Sequence, residues 1–213
     1  MSSSDPHADL VSRWVKSVTN SLATAEPKPE PKIPMSKVTA ATDYMRAKGY
    51  RFTTAEHAKA LLYYLKGYAI GLIGSPGTGK TMFFECVPSR PIKFSLADYI
   101  GESMEDIKTI FRNYEKDDVV IDDIGAEPVF NYYGDKFDLL PLILDWRMRL
   151  NGVRTHFTSN LSGAELMTRY GQRVVDRLYG LAKIFTISGE SLREPRPVTN
   201  YQSPITKHHD QTT

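Results

Sequence analysis

Eight consecutive residues carry the most direct chemical meaning in this sequence: Gly74-Ser75-Pro76-Gly77-Thr78-Gly79-Lys80-Thr81. Glycine, four residues, then Gly-Lys-Thr is the spacing that lets backbone N–H groups turn inward around a phosphate. Lysine brings a point charge to the β- and γ-phosphates, and the threonine hydroxyl offers magnesium a hard oxygen ligand. A helix starting at the loop adds the partial positive charge of its N-terminus. The eight residues, with Met82 after them, are the candidate nucleotide-binding residues, and ATP and Mg²⁺ the implied cofactors.

A phosphate loop needs an acid at the end of a neighbouring buried strand. Val119-Val120-Ile121-Asp122-Asp123 supplies two. Asp122 is the candidate to hold Mg²⁺ through water, with Thr81 as the other metal residue; Asp123 is the candidate to orient or deprotonate the attacking water. Thr158-Ser159-Asn160 closes a further strand, and Asn160 there is placed to hydrogen-bond a γ-phosphate or its attacking water. Arg173 and Arg177 lie four apart and share one helix face.

The surrounding pattern positions these groups. Thr53 with Glu56 reads as a capping box for a helix to about Leu65, and Tyr68 to Ile73 as an apolar strand running into the glycine loop. Ile92 to Ser95 is a second strand. Ser103 with Asp106 opens a helix whose apolar face is Met104, Ile107, Ile110, Phe111 and Tyr114. Asp138 to Leu150 is expected to be helical, Arg154 to Ser159 a strand, Ser162 with Glu165 a cap, Gln172 to Tyr179 a helix and Ile184 to Ile187 the last strand. Strands alternating with helices predict an α/β fold with a mainly parallel five-stranded sheet covered on both faces.

Before this body, residues 1–24 read as an amphipathic helix with Leu10, Val11, Trp14, Val15, Val18 and Leu22 on one face, and 25–35 as a proline-rich linker. That helix suits either docking into a partner's groove or folding back on the body. The expected main domain is 36–197, followed by a disordered tail, 198–213.

Composition bounds the rest. In 213 residues, 27 Lys and Arg stand against 25 Asp and Glu, a formal charge of +2, so a strongly basic nucleic-acid arm is excluded. The single cysteine, Cys86, excludes an intramolecular disulfide framework and a multi-cysteine zinc site. His208-His209 is read as no metal site. With no membrane-length apolar run and with Asp5 and Asp9 near the start, the expectation is a soluble, cytoplasmic protein with no membrane partner.

Five segments together resemble the AAA+ ATPases, and within them the DnaC/IstB-type helicase-loader and transposition-helper family: Gly74–Thr81, Val120–Glu127, His156–Ser162, Arg173–Leu178 and Gly189–Arg193. The resemblance implies a three-layer P-loop NTPase fold of the AAA+ kind. It implies that Asn160 senses the γ-phosphate, that Arg177 (Arg173 as second candidate) is an arginine finger reaching a neighbouring subunit's ATP, and that Arg193 lies near the nucleotide. It also implies a slow, assembly-dependent ATPase that forms homo-oligomers on ATP or DNA. Such a protein loads or regulates a replicative helicase on single-stranded DNA, the partner docking on the N-terminal helix. The sister roles are an IstB-like transposition helper and a nucleotide-dependent binding switch, the latter motivated by an aspartate at 123 where many AAA+ ATPases use glutamate.

Three departures are visible. The stretch from Thr81 to Ile92 is short, that from Asp98 to Val119 is compact, and too little chain follows Arg177 for more than a vestigial lid. For DNA contact the sequence offers Lys108, Arg112 and Lys116 on one helix, with Phe111 and Tyr114 assigned to the core, and Tyr132, Tyr133 and Lys136 in a loop.

Overall fold

The computed structural model describes residues 31–99, 101–132 and 135–193. The amphipathic segment 1–24, most of the linker and the tail 198–213 lie outside the described residues, as does Tyr133.

Alternation along the strands builds the layers. Ile70 and Leu72 of β1 (Ile70–Ile73) and Val120 of β3 (Val119–Ile124) point to one face. There they pack under α1 (Met35–Ala47), α2 (Ala55–Leu65) and α3 (Lys80–Cys86) through Met45, Leu61, Tyr64, Phe83 and Phe84. Val119, Ile121 and Phe157 point to the opposite face. They are covered by α4 (Met104–Asn113), α5 (Leu139–Arg147), α6 (Gly163–Tyr170) and α7 (Gln172–Leu181). The result is the expected three-layer sandwich.

With β2 (Ile92–Ser95), β6 (Thr155–Ser159) and β7 (Lys183–Thr186), the sheet has five strands in the order β2-β3-β6-β1-β7. All four pairings are parallel. The carboxyl ends of β1, β3 and β6 therefore emerge side by side, where open α/β sheets bind ligands. Close packing at the centre depends on Gly71: a Cβ there would lie 2.4 Å from the Phe157 ring.

Local chemistry sets several boundaries differently from expectation. The Thr53–Glu56 capping box is not formed: Thr54 is the N-cap, and it makes no side-chain cap bond. Glu56 is held by Lys59 at 2.6 Å, and the Thr53 and Thr54 hydroxyls both face His57 Nδ1 at 3.4 Å. Tyr68 belongs to the turn after α2, its N–H donating to Tyr63 O, so β1 begins at Ile70. Helix α5 stops at Arg147 instead of Leu150. Arg147 is 2% exposed and its guanidinium donates to Thr155 Oγ1 and to the carbonyls of Tyr114, Asp117 and Arg154, tying the helix end to neighbouring loops. Asp138 stands at the N-cap of α5 but makes no side-chain cap bond; its carboxylate faces Arg169 at 3.6 Å.

Other expectations match closely. Ser103 caps α4 by accepting from Asp106 N–H, and Ser162 with Glu165 forms a full capping box on α6. Ile107 and Phe111 are buried, with Tyr114 packed against them. Four elements were not expected, the first of them helix α1, Met35–Ala47. Leu96–Tyr99 forms a 3-10 turn after β2. The segment read as a polar loop contains β4 (Phe130–Tyr132) and β5 (Asp135–Phe137), paired antiparallel as a hairpin. Among the described residues no helix follows α7, and none is long and apolar enough to cross a membrane.

Candidate nucleotide-binding site

The glycine loop runs from β1 into α3, with Gly79 at the helix N-cap in a left-handed conformation (φ 89°) that only glycine adopts cheaply. Loop and strand ends line a cleft of about 540 Å³ that contains Gly77, Gly79, Lys80, Thr81, Met82, Asp122, Asp123, Asn160 and Arg193. Gly74 and Ser75 stand behind the lysine, and Thr78 braces the loop by donating to Ser75 O at 2.9 Å. Pro76 completes the loop.

Lys80 is 6% exposed. Its ammonium donates to Gly74 O and Ser75 O at 2.7 Å and to Asn160 Oδ1 at 2.8 Å, so all three protons are committed. Burial lowers its pKa; Asp123 and Asp122 act against this and Arg193 with it. Asn160 also donates to Asp123 Oδ1, so one amide bridges the loop lysine and the second acid. Burial, then the neighbouring Asp122, raises the Asp123 pKa against the opposing pull of Lys80, Arg193 and Asn160.

Asp122 Oδ1 accepts two hydroxyl bonds, from Thr81 at 2.9 Å and from Thr158 at 2.6 Å. Thr158 in turn accepts the Asp123 N–H at 2.8 Å. The reason lies in a β-bulge. Strand β3 pairs Ile121 with Phe157 and Ile124 with Ser159, so three residue steps on β3 span two on β6. Asp123 takes the strain at φ 56°, the only non-glycine with positive φ among the described residues. The bulge turns both carboxylates toward the loop.

The donor set fits magnesium. A threonine hydroxyl and a carboxylate in contact are hard oxygen ligands. No cluster of three or more His, Cys, Asp or Glu suited to a metal is found among the described residues. Mg²⁺ needs no such cage, since it keeps waters and takes ligands from substrate phosphates.

The C-terminal segment returns over the loop. Leu192 N–H donates to Gly77 O at 2.9 Å, and a Cβ on Gly77 would lie 2.1 Å from Ser191 Oγ. This contact brings Arg193 to the cleft. Arg177 and Arg173 are not brought there. Arg177 pairs with Asp145 of α5, and Arg173 is exposed on α7. Thr158, Glu85 and Leu192 also line the cleft and were not singled out from sequence. Thr158 alone had a signal, its place two residues before Asn160.

Two solved structures share this architecture at 21% identity. The crystal structure of DnaI matches with a TM-score of 0.54 over 71% of this chain and 93% of its own. The crystal structure of the DnaC helicase loader matches with a TM-score of 0.50 over 71% of this chain and 99% of its own. The chain has the DnaC-like fold. AMPPCP-bound DnaA from Aquifex aeolicus is a looser likeness, with a TM-score of 0.47 and 19% identity over 65% of this chain and 48% of its own. No protein-family model matches the sequence, and no curated protein matches it. The DnaC-like α/β sandwich thus places a loop lysine, a hydroxyl–carboxylate pair, a second acid and a bridging amide in one cleft.

Proposed function

We propose that this chain is an AAA+ ATPase of the DnaC-like kind that binds Mg²⁺–ATP, hydrolyses it slowly, and loads or regulates a replicative helicase on single-stranded DNA. The observation that carries the reading is the convergence of Lys80, Thr81, Asp122, Asp123 and Asn160 in one cleft of a DnaC-like fold. Lys80 and the loop N–H groups would bind the phosphates, and Thr81 and Asp122 would hold the metal, which would supply neutralisation of phosphate charge. Asp123, with its raised pKa, receives the proton of the attacking water. Asn160, already on Asp123, aligns that water.

Arg177 is the trans finger of this reading, with Arg173 as second candidate. Its pairing with Asp145 in the single chain means that assembly must release it before it reaches a neighbour's ATP. The partner would dock on segment 1–24. A second reading, a binding switch with little turnover, has one observation in its favour: Asp123 is bonded to Asn160 and thus engaged before any water arrives.

The test is a mixing experiment. Lys80→Ala abolishes ATP binding; Arg177→Ala spares binding and lowers turnover. Mixing the two at concentrations that permit assembly restores part of the ATPase activity. No recovery argues against a shared site. Wild-type protein that binds ATP but turns over none, even with helicase and single-stranded DNA, selects the switch.

A further inference from the structure

We infer that Thr158 is a positioning residue that sets Asp122, and through it Thr81, for the metal; this rests on the Mg²⁺–ATP reading of the cleft. Thr158 is 1% exposed on β6, on the same side of the sheet as α3. Its hydroxyl has one proton to donate, and the proton goes to Asp122 Oδ1 at 2.6 Å. A lone pair takes the Asp123 N–H that the bulge has removed from the β3–β6 ladder.

One hydroxyl therefore performs two tasks. It satisfies a partly buried backbone donor, and it fixes the rotation of the carboxylate beside it. The Asp122 carboxylate fixed in this way accepts the Thr81 proton at 2.9 Å. A hydroxyl that donates its proton to a carboxylate presents its lone pairs elsewhere, as a metal ligand must. The chain of dependence runs from Thr158 to Asp122 to Thr81. Groups that support metal-binding residues from behind typically contribute 10- to 100-fold to metal affinity or activity.

The discriminating quantity is the ratio of ATP affinity in Mg²⁺ to that in EDTA. It is measured with a fluorescent ATP analogue on the full-length wild type, Thr158→Val and Thr158→Ser. Valine keeps the shape and loses both bonds; serine keeps the hydroxyl. The expected result is a ratio roughly 10-fold or more lower in Thr158→Val, with binding in EDTA unchanged and the ratio recovered in Thr158→Ser. An unchanged ratio in Thr158→Val overturns the inference. So does an equal loss with and without Mg²⁺, or a serine variant as impaired as valine, since each is the mark of a merely structural role. Should thermal melting show Thr158→Val unfolded, Thr158→Ala, which also lacks donor and acceptor, takes its place with the same outcomes. Failure of the wild type to bind the analogue under either condition rejects the ATP reading itself, and so is distinguishable from failure of Thr158.

Discussion

Lowering the pH should unfold this protein through His156 before its carboxylates are exhausted. His156 is fully buried on β6, and its Nδ1 accepts the Ile70 N–H at 3.0 Å. The rings of Tyr64 and Phe84 flank it, each with its centroid at 5.2 Å, and Nε2 has no partner. Burial lowers its pKa to about 3, with Arg154 and Arg147 adding to the effect and Asp118 opposing it. Protonation would turn the Nδ1 acceptor into a donor against Ile70 N–H. Between about pH 3 and the usual value of 6.5 the unfolded chain holds this proton and the folded chain does not. Stability therefore rises with pH across that window, is complete above 6.5 and is lost as pH falls toward 3. The slope from this one group is about 1.4 kcal/mol per pH unit, and the whole window about 5 kcal/mol. That is comparable with the entire stability of a small domain. The assay is urea unfolding at pH 7, 6, 5 and 4 for wild type and His156→Asn, whose amide oxygen can accept the same Ile70 N–H. The variant is less stable at pH 7 because the ring is gone, but its loss between pH 6 and 4 is smaller by about 2–3 kcal/mol. Parallel pH profiles refute the reasoning, as does an NMR titration of His156 with a midpoint above pH 5.

Gly71→Ala forces a Cβ to within 2.4 Å of the buried Phe157 ring and should cost about 1–3 kcal/mol, read from the urea midpoint at unchanged slope. Arg147→Met strands carbonyls that now accept from the guanidinium; a loss of about 3 kcal/mol is expected by the same assay, with little change in ATP affinity. Gly77→Ala meets Ser191 and a φ of 82°, so it should release the segment that carries Arg193. Faster trypsin cutting after Arg193 together with weaker ATP binding checks this, and wild-type cutting rates count against it.

The glycine loop and the five strands of the main sheet were legible because their signals are local. A glycine spacing, an apolar run and a serine three residues before an acid each act within one turn or one strand. Errors arose where another group, near or distant, competes for a side chain. Glu56 could have closed a capping box, but Lys59 takes it. Arg147 lies inside the span expected to be helical to Leu150, yet four acceptors from other segments hold it and end the helix there. Thr158 is visible in the sequence only as part of the strand end that carries Asn160, because the bulge that gives it two acidic neighbours depends on register between β3 and β6. The return of Leu192 to Gly77 is likewise a long-range contact.

The same network bears on how a nucleotide would act here. Lys80 has no free donor, Asp122 is held by two hydroxyls, and Asn160 joins Lys80 to Asp123. A γ-phosphate would therefore enter by exchange, taking at least one Lys80 proton from Asn160 or from the Gly74 or Ser75 carbonyl. Removing the lysine also removes the partner that holds the Asn160 carbonyl end, which loosens the amide bonded to Asp123. The acid is thus coupled to loop occupancy through a single side chain. On this argument Asn160→Ala should uncouple the two functions. ATP should still bind, since the loop and Lys80 remain, while turnover falls because Asp123 loses its alignment; a variant that loses binding and turnover in equal proportion would place Asn160 in the phosphate cradle alone.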